Sequence, residues 1–111
     1  MNDLSNILNK IINELDSKKA INPVVLDTKG ISSFSDYFIV ASMDSERGVK
    51  ALSEHINLLL KKELKIETKT DGLSSPSWVI IDTGDIMIHL FHKDAREYYQ
   101  LESLWSNAGK Q

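Results

Sequence analysis

The sequence predicts an α+β fold: a mixed five-stranded sheet with helices packed on one face, in the order α-β-β-α-β-β-β-α. Three observations predict it. Residues 3–19, and the stretch from Asp44 to about Leu64, carry apolar residues at helical spacing. Short β-branched and aromatic runs lie between and after them, separated by Asn-Pro, Asp-Gly and Ser-Ser-Pro breaks. The stretch Ser77 to Trp105, SWVIIDTGDIMIHLFHKDAREYYQLESLW, reads as a β-hairpin followed by a short helix.

In the first helix Leu4, Ile7, Leu8, Ile11 and Leu15 form one stripe, widened by Ile12. Asn2 or Asp3 can cap it. Asn22-Pro23 ends that region, because a proline pushes the residue before it toward an extended conformation. Val24-Val25-Leu26 is a short strand closed by the turn-prone Asp27-Thr28-Lys29-Gly30. Asp36 to Ala41 is a second strand, apolar on both faces and therefore central.

Asp44 or Ser45 caps the second helix, whose stripe is Val49, Leu52, Ile56, Leu59, Leu60 and Leu64. Glu67 to Thr70 alternates in charge, as a sheet edge does. Asp71-Gly72 turns the chain and Ser74-Ser75-Pro76 leads into the hairpin. If Asp82-Thr83-Gly84-Asp85 is a tight turn, Asp82 faces Asp85, Ile81 faces Ile86, Val79 meets Ile88 and Trp78 meets His89. One face then carries Val79, Ile81, Ile86, Ile88 and Leu90, all aliphatic. The other carries Trp78, Ile80, Asp82, Asp85, Met87, His89 and Phe91. The first is what a helix-covered core requires; the second has the mixture of partner-binding patches.

The chain has 111 residues, enough for one domain, with a net charge of −3 and no cysteine. Residues 1–106 are expected to form that domain and 107–111 an unstructured tail. The absence of cysteine excludes thiolate metal sites and disulfides and fits a cytoplasmic location. No apolar run is long enough to span a bilayer, and the polar, acidic first turn is unlike a signal peptide. Lysines are scattered, with pairs only at Lys18-Lys19 and Lys61-Lys62 near helix ends, so direct nucleic-acid contact is expected to be slight. An acidic chain suits a basic protein partner better.

Asp82, Asp85, His89 and His92 are candidate metal ligands by residue type, but the spacing argues against a site. Two aspartates at a turn have backbone reasons to be there, and His92 points to the opposite face from His89. No Gly-x-Ser-x-Gly elbow and no Gly-Lys-Ser/Thr loop is present. Tyr98, Leu101, Leu104 and Trp105 share one helical face, suited to docking on the core or to bordering the hairpin's mixed face.

With those residues in view, the chain resembles the ribosomal silencing factor family, also called Iojap-like. The matching segments are Val25-Leu26-Asp27 and Ser32-Ser33-Phe34-Ser35-Asp36-Tyr37-Phe38-Ile39-Val40-Ala41. Ser45-x-Arg47 follows at the start of the second helix, then Trp78-Val79-Ile80-Ile81-Asp82-x-Gly84-Asp85-Ile86 and His89-Leu90-Phe91. After Arg96 comes Tyr99-x-Leu101-Glu102-x-Leu104-Trp105; together these cover roughly residues 4–106. Met43-Asp44 and Gly48 depart from the family, which often has Gly-Asn or Gly-Thr before the helix and His after the Arg.

The resemblance implies a nucleotidyltransferase-like fold without transferase chemistry. It also implies binding to the fourteenth large-subunit ribosomal protein on the intersubunit face, blocked subunit joining, and lowered translation when nutrients are scarce. No cofactor is needed for such exclusion. Carried onto this chain, the docking residues are Trp78, Ile80, Met87 and His89 at the centre, with Asp82 and Asp85 facing basic groups and Tyr98, Leu101 and Trp105 framing the patch. The two-metal chemistry of transferases lacks its carboxylate pair, since Phe38 stands where the second carboxylate after Asp36 would be. Two alternatives stay open: a metal-dependent nucleotidyltransferase or phosphodiesterase using Asp36, Asp82 and Asp85, and a homodimer of the free protein through the mixed face.

Overall fold

In the computed structural model, residues 4–30, 35–99 and 109–110 are described. Helix α1 spans Leu4–Ser17 and buries Ile11 and Leu15 completely. It ends in a Schellman motif: Ala20 N–H donates to Leu15 O (2.9 Å) and Lys19 N–H to Asp16 O (3.0 Å). Lys19 takes the left-handed position at φ 62°, which glycine usually fills. The stop therefore comes from this motif and not from Asn22-Pro23. Those two residues lie inside strand β1 (Ile21–Asp27), three residues longer at its start than its apolar run suggests. The ladder register shifts between Ile21 and Val24, and Asn22 sits at φ 48°. This bulge accommodates a proline that cannot donate to the ladder.

Strand β2 (Tyr37–Met43) is central as expected, antiparallel to β1 and parallel to β5 (Ile86–His92). Helix α2 (Glu46–Leu58) is capped by Ser45, whose Oγ accepts from Gly48 N–H at 2.9 Å. A π-helical turn, Leu59–Glu63, continues it. Ile56, Leu60 and Leu64 are all buried. Residues four apart drift around an α-helix, and the wider π turn offsets that drift and keeps the three on the core side.

Strand β3 (Lys69–Asp71) is short and at the sheet edge, pairing with β4 (Trp78–Asp82). Asn57 of α2 holds the approach to it, accepting from Thr68 Oγ1 (2.8 Å) and donating to Thr70 Oγ1 (3.1 Å). Helix α3 is Lys93–Tyr99, and β6 is Gly109–Lys110. The sheet order is β3-β4-β5-β2-β1-β6. The expected five-stranded mixed sheet thus gains a two-residue strand, paired to Leu26 and Asp27, within the segment expected to be an unstructured tail.

Helices α1 and α2 cover one face, where Val25, Ile39, Ala41, Val79, Ile81, Ile86, Ile88 and Leu90 form the main core. Helix α3 borders the opposite face: Ala95 packs against a second cluster of Leu26, Phe38, Val40 and Phe91. Helix packing is therefore not confined to one side. Among the described residues, no helix is long and apolar enough to cross a membrane.

Candidate docking surface

The hairpin β4–β5 divides its side chains as alternation requires. Val79, Ile81, Ile86, Ile88 and Leu90 are at most 1% exposed, beneath the helices. Trp78, Ile80, Asp82, Met87, His89 and Phe91 lie on the other face. There Trp78, Ile80, Asp82 and Met87 are half-buried, while His89 and Phe91 are buried.

The register differs from the one expected. Trp78 stands opposite Phe91, Ile80 opposite His89 and Asp82 opposite Met87, two residues further along β5. The loop causes the shift. Asp82 Oδ1 accepts from Gly84 N–H (2.8 Å), and Thr83 Oγ1 accepts from Ile86 N–H (3.0 Å) while Thr83 N–H donates to Ile86 O (2.9 Å). The turn is thus centred one residue later than expected, on Gly84-Asp85 between Thr83 and Ile86, with Thr83 Oγ1 accepting the Ile86 N–H, so Asp82 does not face Asp85. A slip of two leaves every side chain on its predicted face, because the strand period is two.

The centre of the surface is aromatic. Trp78 lies on Phe91 with ring centroids 4.9 Å apart, and His89 lies against Phe38 at 4.7 Å. Trp78 Nε1–H donates to His89 Nδ1 at 3.1 Å, a diagonal cross-strand contact. Burial among these rings pushes the His89 pKa down from its ordinary 6.5 to about 4, so the imidazole is neutral at physiological pH.

Asp82 has Lys69 of β3 at the opposite ladder position, a basic neighbour within the chain. Asp85 is exposed beyond the strand ends, and its backbone carbonyl accepts from Asp36 N–H (2.9 Å) and Tyr37 N–H (3.2 Å). Five of the predicted residues, Trp78, Ile80, Asp82, Met87 and His89, thus share one face, with Asp85 at its end. Tyr98 belongs to α3 by backbone, and its side chain, with Leu101, Leu104 and Trp105, lies outside the described residues.

Phe38 and Phe91 were not among the predicted docking residues and complete the aromatic cluster. Phe91 was legible on the hairpin's mixed face; Phe38 joins it only because β2 pairs with β5, which no local pattern reveals. His92 ends β5 on the opposite face and meets Asp94 at 3.8 Å. Among the described residues no three His, Asp or Glu side chains are grouped to hold a metal ion. Asp36, Asp82 and Asp85 thus form no such group of three.

Residues 2–111 match the family described as ribosomal silencing factor during starvation. The ribosomal silencing factor of Halalkalibacterium halodurans is 37% identical over 102 residues, which are 92% of this chain and 87% of that protein. A mouse protein named mitochondrial assembly of ribosomal large subunit protein 1 is 27% identical over 103 residues, 89% of this chain and 45% of its own length. A crystal structure of a Chromobacterium violaceum protein superimposes with a TM-score of 0.89 at 33% identity, covering 95% of this chain and 88% of that one. Its likeness confirms the α+β architecture, and with the match along almost the whole chain it shows that this protein belongs to the ribosomal silencing factor family.

Proposed function

We propose that this protein docks on the large ribosomal subunit at its intersubunit face and keeps the small subunit from joining, repressing translation when nutrients are limited. The observation that carries the reading is the sheet face of Trp78, Ile80 and Met87 around the buried His89 and Phe91, with Asp82 and Asp85 at one end. Half-buried aromatic and aliphatic anchors within a polar surround are what protein interfaces use for affinity. The partner on the ribosome is a basic protein, which suits a chain of net charge −3 with carboxylates at the rim of the patch; the family resemblance implies the fourteenth protein of the large subunit. The names of the relatives, silencing factors and a large-subunit assembly protein, support a ribosomal partner.

The action is steric, in the cytoplasm, and the chain is a binding protein rather than an enzyme. The match to the silencing-factor family along residues 2–111 favours this over the nucleotidyltransferase reading. Co-sedimentation with purified large subunits, scored beside a subunit-joining assay, tests it. Binding with loss of joined ribosomes is the expected result; no binding at physiological salt would overturn it. Self-association through the same face would compete with docking, and sedimentation of the free protein measures it.

A further inference from the structure

His89 is only 3% exposed and is surrounded by Phe38, Trp78 and Phe91. Its Nδ1 receives the Trp78 indole N–H at 3.1 Å. An indole nitrogen only donates, so Nδ1 is the bare nitrogen and the proton of the neutral ring is on Nε2. Nε2 is buried and has no hydrogen-bond partner among the described residues. A buried N–H left unpaired keeps the full cost of its desolvation. An apolar ring would fill the same space without that cost, so packing does not account for a histidine here. What an apolar ring does not offer is an acceptor for Trp78.

Trp78 stands opposite Phe91, and its indole leans diagonally toward His89, the two rings tilted by 42° with centroids 6.0 Å apart. The acceptor thus selects among the orientations an indole could take on Phe91.

We propose that His89 is the positioning residue of the docking surface: by accepting the indole N–H it fixes the direction in which Trp78 meets a basic protein on the large ribosomal subunit. This rests on the docking reading above. Ordering the anchor before encounter removes an entropy cost at binding, and a loose side chain forfeits about three- to tenfold in affinity.

The test joins nitrogen-15 spectroscopy of the free protein to co-sedimentation with large subunits. In the unaltered protein the His89 proton is expected on Nε2, and the Trp78 indole N–H, assigned by its loss in Trp78→Phe, exchanges slowly. His89→Phe keeps a ring and removes the acceptor. Its melting temperature should equal or exceed that of the unaltered chain, while indole exchange speeds up and ribosome affinity falls about three- to tenfold. His89→Asn returns an acceptor close to where Nδ1 stood and should recover slow exchange and most of the affinity despite a lower melting temperature. If histidine only served packing, affinity would follow melting temperature across the variants. A proton on Nδ1, or His89→Phe binding like the unaltered chain, overturns the inference. Failure of the unaltered protein to sediment with subunits overturns the docking reading itself, a result distinct from either.

Discussion

Arg96 Nη1 donates to the carbonyl of Ile21 at 2.9 Å, bridging residues 75 positions apart, and to Ser42 Oγ at 3.2 Å. The guanidinium is buried and joins α3 to the start of β1 and the end of β2 at the bulge. Replacing it with methionine keeps the stem and removes a charged donor from the buried Ser42 hydroxyl and the part-buried Ile21 carbonyl. Arg96→Met should lower stability by about 2 kcal/mol, read as a lower urea midpoint at unchanged slope. A midpoint within error of the unaltered chain would show the tie to be dispensable.

His89 predicts a pH dependence. The imidazole takes a proton near pH 6.5 in the unfolded chain and only at about 4 in the folded one. The unfolded state therefore binds more protons between these values, and stability falls as pH falls through that window. The contribution is complete above pH 6.5, lost by about pH 4, and amounts to roughly 3 kcal/mol. Urea unfolding between pH 7.5 and 4.5 should show a shallower acid loss for His89→Phe than for the unaltered chain. Parallel pH curves would contradict the buried neutral ring.

Two glycines separate strain from collision. Gly72 sits at φ 93°, and a Cβ there would lie 2.2 Å from the Trp78 carbonyl oxygen. Gly84 sits at φ 101° with nothing within 4 Å of such a Cβ. Gly84→Ala should cost about 1 kcal/mol from backbone strain alone. Gly72→Ala adds a clash with β4 and should cost more than about 2 kcal/mol, compared by thermal melts. Equal losses would place both effects in the backbone angle.

Trp78→Ala should weaken large-subunit binding by more than about 1 kcal/mol while the far-ultraviolet circular dichroism stays native. Normal binding removes the central anchor. Loss of the fold would instead assign Trp78 to the core beside Phe91.

Asp85→Lys reverses an exposed charge and leaves the backbone carbonyl of Asp85 free to accept from Asp36 and Tyr37 as before. Association with large subunits should slow by about tenfold at low salt, the difference shrinking as salt rises. Salt-independent rates would exclude an acidic contact there.

The composition of the candidate docking face was legible because the observed pairing differs from the expected one by two residues, and an even slip keeps Trp78, Ile80, Met87 and His89 together. The pairing was not, since side-chain bonds of Asp82 and Thr83 centre the turn on Gly84-Asp85, one residue later than the Asp-Thr-Gly-Asp pattern suggests. Ser45 was one of two legible caps, and its Oγ decides between them. Asn22-Pro23 misled: the pair resembles a break, yet a bulge carries it within β1. The parallel β2–β5 contact, which brings Phe38 to His89, has no signature near either strand.

That parallel pairing has one more consequence. Strands running the same way cannot be joined by a hairpin, so the chain travels through α2, β3 and β4 before Ile86 comes to lie beside Tyr37. The hairpin supplies Trp78, His89 and Phe91 locally, but Phe38 joins them only once this long detour has closed. A peptide copied from the hairpin would hold the right letters on no platform. On the proposed docking reading the contact surface belongs to the completed tertiary structure, and a miniature mimic that reproduces β2 as well as the hairpin is expected to compete better than the hairpin alone.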